Sequence, residues 1–276
     1  MAPLVYLITG ANKGIGYEAT RILAERFRDE AIILLGTRTL KNGEDAIAKM
    51  KQANPSFDFA NVELVEIDVS KNDSIQAATD YVKAKYGNVH VLVNNAGIAG
   101  RSEGAEMCFQ VNVFGVWSTL EAFNPLLVPN QSINIVVASG VGSGTFAAMS
   151  PTLQAILDDV NKLDTATVHS LVDDWLASAH GKPSEHSWPN ASQTYGPYGV
   201  SKTLVMSVSR KWAADHPDIK TVVVCPGFCA TDLNNHTGKL SAAQGGEHIL
   251  FPVFHPDKTE SGKFYSQSRE HAFNSF

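Results

Sequence analysis

The chain has 276 residues, 44% hydrophobic and only 18% charged, a balance that supports a large core and excludes an intrinsically disordered chain. Its 28 acidic and 22 basic residues leave a net charge of −6, so no overall basic field draws it to nucleic acid or to an anionic membrane. The longest apolar runs, Ala31–Leu35, Ile135–Ala138 and Val222–Cys225, reach only about five residues where a membrane helix needs about 20. A strand beginning by Leu4 leaves no room for a signal peptide. Cys108, Cys225 and Cys229 form no C-x-x-C pair and show no zinc spacing. These features predict a cytoplasmic protein with buried, unpaired thiols and no metal site.

In chain order, β-rich runs at Val5–Thr9, Ala31–Leu35, Val62–Ile67, Val89–Val93 and Ile133–Ala138 alternate with helix-length stretches at Gly14–Phe27, Asn42–Gln52, Ser70–Tyr86 and Ala105–Phe123. The runs are apolar throughout, as strands covered on both faces must be. Ile22, Leu23, Ala24 and Phe27 fall at helical spacing. Alternation of this kind predicts an α/β fold, doubly wound, with helices on both faces of a mostly parallel sheet. Between Pro151 and Thr194 the rhythm breaks into a polar, loop-rich segment with two amphipathic stretches, Leu153/Ile156/Leu157/Val160 and Val168/Leu171/Val172/Trp175/Leu176. It reads as a helical insertion in one domain spanning residues 1–276. A helix over Gly199–Asp215 and a further strand, Lys220–Cys225, follow it.

The first strand runs directly into Thr9-Gly10-Ala11-Asn12-Lys13-Gly14-Ile15-Gly16. Glycines at the first βα turn of a doubly wound sheet let the backbone approach a pyrophosphate at a helix N-terminus. No Gly-Lys-Ser/Thr follows with P-loop spacing, which disfavours phosphoryl transfer. About 20 residues on, an NAD site places a carboxylate at the ribose 2′ position. This chain has Gly36-Thr37-Arg38-Thr39 instead, and Lys13 lies in the glycine loop. Two cations and no anion suit a 2′-phosphate, so NADPH/NADP+ is the expected cofactor; otherwise Arg38 is a solvated loop charge. Asn94-Asn95-Ala96-Gly97, Asn112 and Ser139 follow the carboxyl ends of central strands, where ligands bind. Taken singly, each reads more readily as a cap or turn residue than as a site residue. Tyr198 and Lys202 share a helical face at i, i+4. Tyr81 and Lys85 have the same spacing, but they sit in a charged helix away from the glycine loop, so chain order selects Tyr198.

With these residues together, the sequence resembles the short-chain dehydrogenase/reductase family over essentially its whole length. The matching pieces are Thr9–Gly16, Asp68, Asn94–Gly97, Asn112, Ser139, Tyr198/Lys202 and Pro226-Gly227…Thr231. Within the family it is most similar to the monomeric NADPH-dependent carbonyl reductases. The reasons are Gly10–Gly16, Arg38, the closing Gly262-Lys-Phe-Tyr265, and a long gap between Ser139 and Tyr198. The resemblance implies a Rossmann domain with a seven-stranded sheet, and catalysis by Asn112, Ser139, Tyr198 and Lys202. It implies cofactor contacts at Gly10, Asn12, Lys13, Gly14, Ile15, Gly16, Arg38, Asp68, Val69, Asn94, Ala96, Gly97, Pro226, Gly227 and Thr231, with Tyr198 and Lys202.

In that scheme Lys202 and the nicotinamide lower the Tyr198 phenol, and Tyr198 protonates a carbonyl oxygen that Ser139 holds. Asn112 holds a relay water, Asp68 meets the adenine, and Asn94 with Thr231 fixes the nicotinamide side. The family usually has two serines where this chain has Ala138-Ser139, so Ser143 is the fallback. The Gly97–Asn112 stretch is shorter than in animal carbonyl reductases. Phe228, Trp188 and Tyr195 suggest an apolar or aromatic carbonyl substrate, and the insertion suggests a monomer. A secondary-alcohol dehydrogenase and a non-catalytic dinucleotide sensor remain the alternatives.

Overall fold

Seven runs rich in β-branched and aliphatic residues pair in parallel: β1 (Leu4–Ile8), β2 (Ala31–Thr37), β3 (Val62–Glu66), β4 (Val91–Asn94), β5 (Ile133–Val137), β6 (Lys220–Cys225) and β7 (Phe264–Ser266). The computed structural model describes residues 3–190 and 194–275. An eighth strand, β8 (Arg269–His271), adds antiparallel to β7, giving the order β3-β2-β1-β4-β5-β6-β7-β8. The sheet is therefore mostly parallel as expected, but eight-stranded rather than seven-stranded. The extra hairpin turns through Gln267 (φ 49°) and Ser268 (φ 65°), left-handed positions that sequence normally advertises with Asn or Gly.

Successive strand residues feed opposite layers, which is why the strands are apolar throughout. Ile33 and Leu35 pack with Tyr17, Ala19 and Leu23 of α1 (Gly14–Phe27), Ala46 and Met50 of α2 (Leu40–Ala53), and Ile249 of α10 (Ala242–Ile249). Leu34 faces the other layer. There Leu7, Leu92 and Val136 meet Ile75 and Val82 of α3 (Asn72–Tyr86), Leu120 of α5 (Gly115–Phe123) and Val205 and Trp212 of α9 (Pro197–Asp215). The expected Ala105–Phe123 helix is interrupted. α4 (Ala105–Phe109) passes through a π turn at Gln110–Phe114 before α5, and such turns concentrate at functional sites. The short α11 (Phe251–Phe254) closes the helical layers.

Among the described residues three helices lie between β5 and α9, the first of them ahead of the insertion. α6 (Gly140–Ala148) follows β5 immediately, and its glycine-rich sequence hid it, because glycine is a weak helix former. The insertion itself supplies α7 (Pro151–Asp158) and α8 (Thr165–Ala179). Leu153, Leu157, Val168, Leu171, Val172 and Trp175 bury their stripes against Phe109 and Val113 near the π turn and Val200, Leu204 and Val208 of α9. Val160 falls beyond the end of α7, and the last part of the expected insertion, 191–193, lies outside the described residues.

Candidate active site

The glycine loop is tied to the end of β4 by Thr9 and Asn95, two residues that sequence reading placed in motifs but not among the site residues. The Thr9 hydroxyl accepts from the amides of Asn95 and Ala96, each at 3.1 Å. Asn95 Nδ2 in turn donates to the carbonyls of Thr9 at 2.8 Å and Gly10 at 3.2 Å. Asn95 was missed as a site residue, although the Asn-Asn doublet was its signal. Close approach explains the glycines: a Cβ on Gly10 (φ +63°) would lie 2.8 Å from Ala96 Cα, and one on Gly16 2.4 Å from Asn95 Nδ2. α1 begins without a side-chain cap and without an acidic residue in its first turn, the set-up of an anion-binding helix end. Asn12 is half-buried in the turn, and Ile15 packs toward Gly245 of α10.

At the ends of β2 and β3, Arg38 is exposed and close enough to Asp68 to stabilise its carboxylate. Burial works against that carboxylate, but hydrogen bonds from the Ser70 hydroxyl (2.7 Å) and amide (3.1 Å), with Lys71 and Arg38, hold Asp68 below the usual range. Val69 is buried, with its carbonyl where Gly115 leaves room for it.

The catalytic candidates converge at the end of β5. Ser139 caps α6, its hydroxyl accepting from the Val141 amide at 3.2 Å, and it hydrogen-bonds the Tyr198 phenol. The fallback Ser143 lies deeper in α6, fully buried, and accepts from the Ser275 amide of the C-terminal tail at 3.2 Å. Lys202 Nζ donates to the Val137 carbonyl at 2.8 Å and sits 5.9 Å from the centre of the Tyr198 ring. Burial pushes Tyr198 up to about 12, only partly offset by Ser139, and pulls Lys202 down to about 8. The phenol is thus not lowered by Lys202 in the protein alone, because desolvation of a buried phenolate dominates. Gly97 lies between Asn112 and Lys202: a methyl there would come 3.3 Å from Asn112 Oδ1 and 3.6 Å from Lys202 Nζ.

Three residues take places other than those anticipated. The Asn112 side chain, in the π turn, is committed to protein partners. It accepts from the Ile98 amide and donates to the Ile98 carbonyl, both at 2.9 Å, and donates to Ser201 Oγ at 3.0 Å. It clamps the loop after β4 to α9. Asn94 points into the sheet, donating to Asn134 Oδ1 at 3.0 Å, and Asn134 donates on to Thr221. Trp188 is drawn back onto α8 within the insertion, its indole N–H donating to Asp174 at 2.8 Å. Tyr195 (68% exposed) and Phe228 (54% exposed) keep free aromatic surface.

After β6, Gly227 (φ +89°) turns the chain and Pro226 accepts from His248 Nδ1 at 2.8 Å. The Thr231 methyl lies 3.5 Å from where a Gly14 Cβ would stand. Cys225, which sequence reading left as a plain buried thiol, accepts from the amides of Gly140 (3.2 Å) and Gly227 (3.4 Å), joining the turns after β5 and β6. All three cysteines are buried and unpaired. No group of His, Cys, Asp and Glu among the described residues could hold a metal ion.

The short chain dehydrogenase family profile matches residues 4–151. The chain belongs to that family. It is 32% identical to short-chain dehydrogenase/reductase 1 of Saponaria officinalis over 95% of this chain and 93% of that one. It is 27% identical to the NADPH-type carbonyl reductase 1 of Rattus norvegicus, covering 96% of each. Salutaridine reductase of Papaver somniferum superposes with a TM-score of 0.82 at 26% identity, over 95% of this chain and 99% of that one. As a short-chain dehydrogenase it is an NAD(P)-dependent oxidoreductase acting on carbonyl or alcohol substrates. Its residues fit the dinucleotide: glycines at Gly10 and Gly16 that a Cβ would fill, an uncapped α1, and a cation beside Asp68. No helix among the described residues is long and apolar enough to cross a membrane.

Proposed function

We propose that the protein is a cytoplasmic NADPH-dependent carbonyl reductase that converts an apolar or aromatic ketone or aldehyde to its alcohol. The observation that carries this reading is the Ser139–Tyr198 hydrogen bond with Lys202 5.9 Å from the tyrosine ring. Reduction needs a proton at the carbonyl oxygen, and a phenol raised to about 12 keeps its proton at neutral pH until that oxygen arrives. When bound, the reduced nicotinamide supplies the hydride. Ser139 and Tyr198 hold the substrate oxygen between two hydroxyls, so negative charge developing there meets donors already in place. The buried Lys202 ammonium favours the tyrosinate left by proton transfer and is the next proton donor in line.

Arg38, exposed at the end of β2 with no acidic residue in Gly36–Thr39, supports selection of a 2′-phosphate. Tyr195 and Phe228 support an apolar partner, since small-molecule pockets combine apolar walls with a few aimed polar groups. Two measurements test the reading. Loss of NADPH absorbance across a carbonyl panel should favour aromatic and bulky apolar ketones over small charged keto acids; the reverse order overturns the substrate class. Arg38→Asp should reverse or flatten the kcat/KM preference for NADPH over NADH, because a carboxylate repels the 2′-phosphate and accepts from a 2′-hydroxyl. An unchanged ratio leaves Arg38 a surface charge.

A further inference from the structure

α6 is a helix that its own sequence does little to sustain. Gly140-Val-Gly-Ser-Gly-Thr-Phe-Ala-Ala148 carries three glycines in nine residues, each a weak helix former, and an isolated helix of this length does not persist in water. Its C-terminal end has no cap of its own. Met149 follows with φ −71° in extended conformation, so no left-handed glycine turns back onto the last carbonyls, and the last turn holds no Lys, Arg or His.

The missing donor comes from the insertion. Gln154 Nε2 lies 3.0 Å from the Phe146 carbonyl, 3.3 Å from that of Ala147 and 3.0 Å from that of Met149, its two protons shared among the three. α7 is fixed to present it. Ser150 caps that helix by accepting from the Leu153 amide at 3.4 Å, and Pro151 opens its first turn. Leu153 and Leu157 are fully buried in the cluster that holds Phe146 and Met149.

At the other end of α6 stands Ser139, the N-cap, whose hydroxyl accepts from the Val141 amide and meets the Tyr198 phenol. Only about two and a half turns separate the ends. Amides of the last turns donate to carbonyls of the first, among them Gly142, whose carbonyl also accepts from Thr203 Oγ1 of α9 at 2.7 Å. Unravelling the C-terminal turn therefore loosens the seat of the N-terminal one. We propose that Gln154 is a positioning residue for the reaction, capping α6 from the insertion and so holding the Ser139 hydroxyl against Tyr198. The proposal rests on the reading of Ser139 and Tyr198 above and gives the insertion a part in catalysis besides its packing on α9. The rival is a purely structural glutamine, whose loss lowers stability without acting through Ser139.

The test uses Gln154→Ala, Gln154→Glu and Gln154→Lys, each alone and combined with Ser139→Ala. A carboxylate cannot donate and is repelled by carbonyls at a helix C-terminus, whereas an ammonium donates to them and suits the negative end of the helix. With NADPH and 4-nitrobenzaldehyde as the probe, kcat should fall roughly 3- to 10-fold in Gln154→Ala, the loss of about one hydrogen bond. It should fall further in Gln154→Glu and return close to wild type in Gln154→Lys, while the Kd for NADPH, read by protein fluorescence, stays unchanged in all three. In the Ser139→Ala background the same substitutions should leave the residual rate unaltered, because a residue acting through Ser139 has nothing left to place. Independently of turnover, amide hydrogen exchange over 141–149 in the cofactor-free protein should quicken in the order Lys, Ala, Glu. Equal fractional losses in both backgrounds, or α6 amides that exchange no faster in Gln154→Glu, overturn the positioning role alone. A Ser139→Ala variant as active as wild type overturns the reading of Ser139 and with it any placing of its hydroxyl, which tells the two failures apart.

Discussion

Two tyrosine–lysine pairs share one spacing, and their surroundings separate them. Tyr81 is exposed on α3, where Lys85 donates to its hydroxyl at 3.3 Å and pairs with Glu63. Tyr198 faces Ser139 at the end of β5 with Lys202 buried beside it. Tyr198→Phe should keep cofactor binding yet lose at least about 10²-fold in kcat, the low end for general acid catalysis. Tyr81→Phe should be nearly silent, and equal losses would sink the assignment. Lys202 makes a second prediction. Burial lowers its folded value from 10.5 to about 8, so the unfolded chain binds the proton more tightly and the buried cation destabilises the cofactor-free fold below pH 8. That cost fades as pH rises from about 8 to 10.5, so this group makes stability increase with pH across that window. At about 1.4 kcal/mol per unit the cost is about 3 kcal/mol, largely offset by about 1.5–3 kcal/mol for the charged bond to Val137. Lys202→Met should therefore abolish catalysis and raise Tm at pH 7 by no more than a few degrees. Melts at pH 7 and at pH 9.5 check the sign: the gain should shrink at the higher pH, and a lower Tm at pH 7 contradicts it.

The elements that hold the site meet more closely than their sequences announce. A Cβ on Gly142 of α6 would lie 2.7 Å from the Lys202 carbonyl carbon and 2.8 Å from its oxygen, both backbone atoms that cannot rotate away. Thr203 Oγ1 donates to the Gly142 carbonyl at 2.7 Å across the same contact. Alanine normally stabilises a helix by roughly 1 kcal/mol over glycine, yet Gly142→Ala should destabilise and cut kcat more than tenfold, because α6 must back away from α9 and carry Ser139 off Tyr198. A denaturant melt with a kcat measurement decides it, and a variant more stable than wild type contradicts the packing argument. β1 to β6 and α1, α3 and α9 were legible from alternation and apolar spacing. α6, α10 and β8 were not, since glycine-rich helices and a Gln-Ser hairpin carry weak local signals and form through the contacts they make.

At the scale of the molecule, α9 is buried without a break from Gly199 to Ser209 within one chain. The insertion covers Val200, Leu204 and Val208. The C-terminal tail covers another side: Phe273 lies under the Arg210 guanidinium at 4.5 Å, and Arg210 also reaches Asp158 of α7. A two-fold dimer needs a self-complementary patch, and from Gly199 to Ser209 this helix has no exposed apolar surface to offer. The chain is therefore expected to be a monomer, with a light-scattering mass near 29.8 kDa; twice or four times that mass rejects it. Deleting 151–192 should uncover the apolar face of α9 and promote association.

The sequence by itself determined the alternation of β1 to β6 with their main helices and the glycine loop, and it ranked Tyr198 above Tyr81, because apolar period and chain order are local properties that survive any detail of packing. Tertiary structure decided what each polar group holds. It set Ser139 on Tyr198 and Ser143 on the tail, turned Asn94 into the sheet, bound Asn112 to Ile98, drew Trp188 to Asp174 and swung Lys13 to Asp232. A side chain's partner lies up to 219 positions away along the chain, as Asp232 does from Lys13, and no local spacing carries that distance. The partner follows only when burial brings the two together and a donor left alone would cost more than the bond.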